Sequence, residues 1–128
     1  MMHLDSLDHL VLTVKDLDKT IDFYTYVLGM RFVKFGKNNE RIALIFGAQK
    51  INLHVFGHEL EPKALHPMPG SADLCFLTTV PLNEVNKHLQ KKEVSIEEGP
   101  VERTGAQGKI LSLYIRDPDG NLIEISNQ

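Results

Sequence analysis

One order of elements occurs twice in this chain, and that repetition limits the fold more than any other feature. The spacing of apolar residues reads as strand, helix and three strands, then a polar linker, then strand, helix and three strands again. In the first half, residues 6–14 alternate as a strand. Asp16 then caps a helix that puts Leu17, Ile21, Tyr24 and Leu28 on one face and stops at Gly29. Strand-like runs follow at residues 31–36, 41–46 and 50–56, with Asn38-Asn39 suited to the first turn because asparagine tolerates positive φ. Residues 57–71 hold three prolines and read as the linker. In the second half, residues 72–79 form a strand, and Pro81 opens a helix with Leu82, Val85 and Leu89 on one side. Strands at 97–103, 110–116 and 121–126 complete it, with Asp117-Pro118-Asp119-Gly120 as the turn between the last two.

One βαβββ unit cannot bury its own apolar face, so two of them are expected to complete a single domain over residues 1–128, as modules 5–57 and 71–128. The expected fold class is α+β: two βαβββ modules forming a curved mixed sheet with helices on the outer face. The other face is left open for a site. With 42% hydrophobic and 24% charged residues the chain has the make-up of a globular protein. A net charge of -3 offers no electrostatic footprint for nucleic acid or an anionic membrane. Charged residues interrupt every apolar run before it could cross a bilayer. Cys75 is the only cysteine, so no intramolecular disulfide can form, and a reducing, cytoplasmic setting is expected.

Alternate residues of a strand share a face. Leu10, Leu12 and Val14 form the apolar set of the first strand, and His9 opposes them. Ile51, Leu53 and Val55 leave His54 on the other face of the fourth strand. Leu74 and Phe76 leave Asp73 opposite, and Ile123 and Ile125 leave Glu124 opposite. His9 and Asp73 thus stand at one place in the two halves, and His54 and Glu124 at another. Two imidazoles and two carboxylates on the uncovered face suit a divalent ion that takes N and O ligands. In the absence of a thiolate ligand, Zn, Ni, Co, Mn and Fe all fit. Such an ion would also supply the counter-charge that buried carboxylates need.

Ser112, Tyr114 and Arg116 share a face of the seventh strand. Tyr114 or Arg116 is placed to meet a substrate oxyanion, although the preferred reading has Tyr114 filling sheet surface and Arg116 pairing with a turn carboxylate. Arg103, beside the glycine-rich stretch 105–108, is a third candidate for binding an anionic ligand. That stretch lacks the spacing of a phosphate loop and reads as a hairpin. Cys75 is expected to be buried and inert, and His58 and His66 to be solvated in the linker.

Three runs carry a family resemblance: Asp8-His9-Leu10-Val11-Leu12-Thr13-Val14, the helix Thr20-Ile21-Asp22-Phe23-Tyr24 leading to Val27-Leu28-Gly29-Met30, and Arg116-Asp117-Pro118-Asp119-Gly120-Asn121-Leu122-Ile123-Glu124. Over essentially its whole length the chain resembles the vicinal oxygen chelate superfamily, which includes glyoxalase I, extradiol dioxygenases and fosfomycin-resistance enzymes. The runs around Asn52, Pro62, Asp73 and Gly99 look like the group of glyoxalase domain-containing protein 5 and its bacterial relatives. The resemblance implies paired modules, a homodimer, and a divalent metal held by the first and last strands of each module: His9, His54, Asp73 and Glu124. It also implies a small-molecule substrate, with Glu124 and Asp73 as the catalytic carboxylates. The ligand types depart from the named activities, which place His where Asp73 stands, while glyoxalase I has Glu where His54 stands. The expected activity is that of a lyase or isomerase acting on a small oxygenated or thiol-conjugated compound. The rivals are extradiol-type dioxygen chemistry and non-catalytic sequestering of a small molecule.

Overall fold

The alternation that opens the chain becomes β1, His9–Val14, which starts later than the sequence pattern suggests. A computed structural model describes residues 1–128, and these divide into two compact units, Met1–Pro69 and Gly70–Gln128.

In the first unit β1 is followed by helix α1 (Leu17–Asp22) and strands β2 (Arg31–Phe35), β3 (Arg41–Phe46) and β4 (Gln49–Val55). The sheet order is β1-β4-β3-β2, with β1 and β4 parallel and the other pairs antiparallel. Asp16 caps α1 by accepting the Lys19 N–H at 3.0 Å. After Asp22 the helix widens into a π-helical turn over Phe23–Val27. The Thr25 hydroxyl donates to the Ile21 carbonyl at 2.7 Å, competing for an acceptor that an α-helix reserves for a backbone N–H. The wider turn rotates the face that follows it. Across the two segments Thr20, Tyr24 and Val27 are the buried residues, while Leu17, Ile21 and Leu28 are only half-buried. Tyr24 joins Leu12, Val14, Leu44, Ile51 and Leu53 in the core. Each such aliphatic side chain contributes roughly 1.5–3 kcal/mol on burial. Asn38 and Asn39 turn the chain between β2 and β3 with φ of 57° and 54°.

The second unit repeats the order with β5 (Asp73–Leu77), α2 (Leu82–Lys91), β6 (Glu98–Gly105), β7 (Gly108–Arg116) and β8 (Leu122–Asn127). Its sheet order is β5-β8-β7-β6, again with a parallel first pair. Leu82, Leu89, Leu113, Ile115, Ile123 and Ile125 are buried. Two asparagines staple this unit. Asn127 accepts the Leu82 N–H at 2.8 Å and donates to the Thr78 and Val80 carbonyls, each at 2.9 Å, which fixes the entry to α2. Asn121 accepts the Ala72 N–H at 2.8 Å and donates to Asp117 Oδ2 at 2.8 Å, which docks the last turn on the start of β5. That turn closes with Gly120 N–H donating to the Asp117 carbonyl at 3.0 Å. No helix is long and apolar enough to cross a membrane.

Candidate functional site

Strand period decides which side chains face away from the core of the second unit. Glu124 on β8 lies opposite Cys75 on β5 and opposite Tyr114 on β7. Ser126, two residues on, lies opposite Leu77 and Ser112. These residues line or underlie an open groove of about 610 Å³ whose walls include Cys75, Leu77, Arg103, Ile110, Tyr114 and Glu124. The turn between β6 and β7 forms its rim through Gly105, Ala106 and Gln107.

At the floor, Ser112 Oγ donates to Glu124 Oε2 at 2.6 Å, and Ser112 Oγ lies 2.6 Å from Ser126 Oγ. Both serines are fully buried. On the wall, Arg103 Nε donates to the Tyr114 hydroxyl oxygen at 2.9 Å, its guanidinium lies 5.4 Å from the Tyr114 ring centroid, and Nη2 sits 3.3 Å from Glu98 Oε1. Since Arg103 supplies that hydrogen, the Tyr114 hydroxyl keeps its own proton to donate elsewhere. Two of the three sequence candidates for anion binding, Arg103 and Tyr114, therefore act as one unit. Arg116 is committed differently. Its Nε and Nη2 hold Glu97 Oε1 and Oε2 at 3.0 and 2.9 Å, and Nη1 donates to the Gly120 carbonyl. The guanidinium beside Glu97 holds that carboxyl below the usual carboxylate range. Arg116 is engaged with a carboxylate, but that of Glu97 just before β6 and not a turn carboxylate as expected.

Cys75 is exposed, against the expectation of a buried thiol, because its side chain is on the strand face that lines the groove. Desolvation pushes the thiol above its ordinary 9.0, opposed by its hydrogen bond with Ser126 and reinforced by the Glu124 charge. Asp73 is exposed, stands opposite Leu122 and lies diagonally across from Glu124 on the same face. Such diagonal neighbours are about 7–8 Å apart between Cα atoms, within reach of two flexible carboxylates.

The first unit places His9 opposite Lys50 and His54 opposite Thr13. The two imidazoles share a face but stand four rows apart, about 13 Å along the sheet. The backbone register also corrects the pairing expected from the duplication. Lys50 N–H donates to the Asp8 carbonyl, and Leu122 N–H donates to the Ala72 carbonyl, so Lys50 and Leu122 are equivalent. Two residues on, the counterpart of Glu124 is Asn52, and His54 is the counterpart of Ser126. Sequence reasoning missed Asn52 because an asparagine among apolar residues carries no signal of its own.

Donor chemistry on this face is nonetheless of the type a borderline divalent ion takes. Asn52 is 3% exposed and its Oδ1 has no hydrogen-bond partner; His54 is 7% exposed and its Nε2 has none. Burial, and then the Arg41 charge, push His54 below its ordinary 6.5, against a smaller pull from Glu59. A neutral imidazole is the form that offers a lone pair. His9 Nδ1 is 2.9 Å from Asp8 Oδ2, and with its proton on Nδ1 the ring would offer the Nε2 lone pair to an ion. The Phe35 ring lies against Lys50 Nζ at 3.8 Å and the Arg41 guanidinium at 5.1 Å. Within neither unit do three His, Cys, Asp or Glu side chains form a metal-binding cluster.

Known proteins resemble this chain over nearly its whole length. Virulence protein STM3117 of Salmonella typhimurium is 62% identical over 125 residues, 98% of this chain and 85% of that protein. Its crystal structure aligns with a TM-score of 0.95 over 98% of both chains. Glyoxalase domain-containing protein RDO1 of Mycosarcoma maydis is 61% identical over 122 residues, 95% of this chain and 68% of that protein. Lactoylglutathione lyase of Agrobacterium tumefaciens, 23% identical with a TM-score of 0.72 over 97% of this chain and 94% of that one, shares the fold. A family model covers residues 6–125, and the chain belongs to the Glyoxalase/Bleomycin resistance protein/Dioxygenase superfamily.

Proposed function

We propose that this protein is a metal-dependent lyase or isomerase of glyoxalase type, acting on a small oxygenated or thiol-conjugated compound as a cytoplasmic homodimer. The observation that carries the reading is the anchored Glu124 carboxylate at the floor of a groove whose wall presents the Arg103–Tyr114 pair. His9, Asp73 and Glu124 are the proposed ion donors, with a fourth from β4. His54 would offer a neutral imidazole, and Asn52 stands at the position of its own unit equivalent to that of Glu124. A bound divalent ion would supply Lewis acidity, lowering the energy of negative charge developing on a substrate oxygen. Tyr114, held by Arg103, donates its proton to that oxygen or to an anionic end of the substrate. One carboxylate of the Asp73–Glu124 pair would leave the donor set when substrate binds and move a proton from one substrate carbon to its neighbour. Leu77 and Ile110 pack the apolar body and exclude water from the reacting end.

Elemental analysis of the purified protein beside Glu124→Ala, His54→Ala and Asn52→Ala tests this. Near-stoichiometric metal in the parent and loss in Glu124→Ala are expected. Loss in His54→Ala alone among the β4 variants assigns the imidazole, and loss in Asn52→Ala alone assigns the amide. Equal, near-zero metal in all four proteins would end the reading and favour sequestering. Oxygen uptake with a catechol would favour the dioxygenase rival.

A further inference from the structure

Each serine hydroxyl has one hydrogen to give, and that limit fixes the direction of the hydrogen bonds under Glu124. Ser112 Oγ is 2.6 Å from Glu124 Oε2 and 2.6 Å from Ser126 Oγ. A carboxylate oxygen only accepts, so the Ser112 hydrogen goes to Glu124. Ser126 must then donate to Ser112, since a contact at that distance without a hydrogen between the oxygens would be repulsive. Ser126 has no hydrogen left for Cys75, whose Sγ lies 3.3 Å from its Oγ, so the thiol donates to Ser126. The longer approach of Ser126 to Glu124 Oε2, at 3.4 Å, is the weaker alternative use of the same hydrogen. The result is one directed chain, from the Cys75 thiol through Ser126 and Ser112 to Oε2.

We propose that Ser112, backed by Ser126, is a positioning residue that ties Glu124 through Oε2 and leaves Oε1 as the oxygen free to meet a cation. The inference rests on reading Glu124 as an ion donor. Its physical content is separate: both hydroxyls are fully buried, neither belongs to the groove lining, and both converge on the same carboxylate oxygen. Chains of this kind strengthen each member and hold the last acceptor in one orientation. A carboxylate so held binds as a single-oxygen ligand, and groups that orient ligands typically change affinity by about 10–100-fold.

Two measurements test the idea. Cys75 is the only cysteine, so the infrared S–H stretch reports one thiol. In the metal-free protein that band is expected below the free-thiol position, and Ser126→Ala is expected to move it up. A parent band already at the free-thiol position, or one unmoved in Ser126→Ala, overturns the directed chain. Titration with cobalt(II), read by calorimetry and by the d–d absorption, is expected to show roughly tenfold or greater weakening in Ser112→Ala, with an altered spectrum, because Oε2 becomes free to bind as well. Unchanged affinity and spectrum in Ser112→Ala overturn the positioning role, even if its Tm falls. A parent that binds no cobalt while its S–H band is displaced upholds the hydroxyl chain and removes the functional reading instead.

Discussion

Asn121 and Ala72 stand 49 residues apart in sequence, yet the Asn121 side-chain oxygen accepts the Ala72 N–H at 2.8 Å, immediately before Asp73 begins β5. Asn121 is 1% exposed, and its amide nitrogen is held by Asp117. Asn121→Ala removes the acceptor of one backbone donor and a donor to one carboxylate oxygen. The expected loss is about 2–3 kcal/mol, or a Tm lower by roughly 10 °C. Thermal unfolding followed by circular dichroism checks it, and a change within about 0.5 kcal/mol would mean that the loop is held by something else.

Gly99 lies where β6 shifts register against β7, with φ of 107°. A Cβ there would run into the Ser112 carbonyl oxygen and come within 2.8 Å of Leu113 Cα. Both obstacles are backbone, so no rotamer change can relieve them. Gly99→Ala is expected to destabilise by more than about 2 kcal/mol, combining a positive-φ cost with a displaced strand. It should also loosen Ser112 from Glu124. Gly29→Ala makes a useful control, because its φ is also positive, at 74°, while nothing lies within 4 Å of its Cβ position. Urea unfolding of the two variants should separate the steric part from the φ part.

His54 gives a pH dependence with a definite sign. Its folded value lies below the ordinary 6.5, chiefly from burial and then from Arg41. Between those two values the unfolded chain binds the proton and the folded chain does not, so stability rises with pH across that window. The stabilisation is complete above the ordinary value and is lost as pH falls towards the folded one. Chelator-treated protein should therefore lose more Tm between pH 7.5 and pH 5 than His54→Gln under the same conditions. Parallel pH profiles for the two proteins would contradict it.

Much of this arrangement is legible in residue order because strand period fixes faces. His9, Asp73 and Glu124 can be assigned to the face away from the core once Leu10, Leu74 and Ile123 are assigned to it. Period two does not fix rows, however, since a shift by two residues leaves every face unchanged. Only the backbone bonds of Lys50 to Asp8 and of Leu122 to Ala72 show that Asn52, and not His54, matches Glu124. The rotated end of the first helix was hidden for a different reason. Thr25 is an unremarkable residue in a helical pattern until its hydroxyl takes the Ile21 carbonyl. The Arg103–Tyr114 bond depends on the β6–β7 register, in which Arg103 pairs with Ile110 on the strand that also carries Tyr114.

Arg116 and Glu97 provide the last prediction, because their contact separates two roles proposed for one side chain. Both nitrogens that face Glu97 are engaged, and the hydrogen bond from Arg116, ahead of its charge, keeps the Glu97 carboxyl below its ordinary 4.5. Arg116→Ala should return Glu97 to that value, visible as an upward move in its carboxyl titration by carbon NMR. In the parent the pair contributes stability above pH 4.5 that is lost as pH falls through the lowered folded value. Both groups are exposed, so the contribution shrinks with added salt. Metal content should stay at the parent level in Arg116→Ala, since Arg116 reaches Glu97 and the Gly120 carbonyl and lies outside the groove lining. A parent-like Glu97 titration in the variant would show that the pair is not formed in solution and would return Arg116 to the set of substrate-binding candidates.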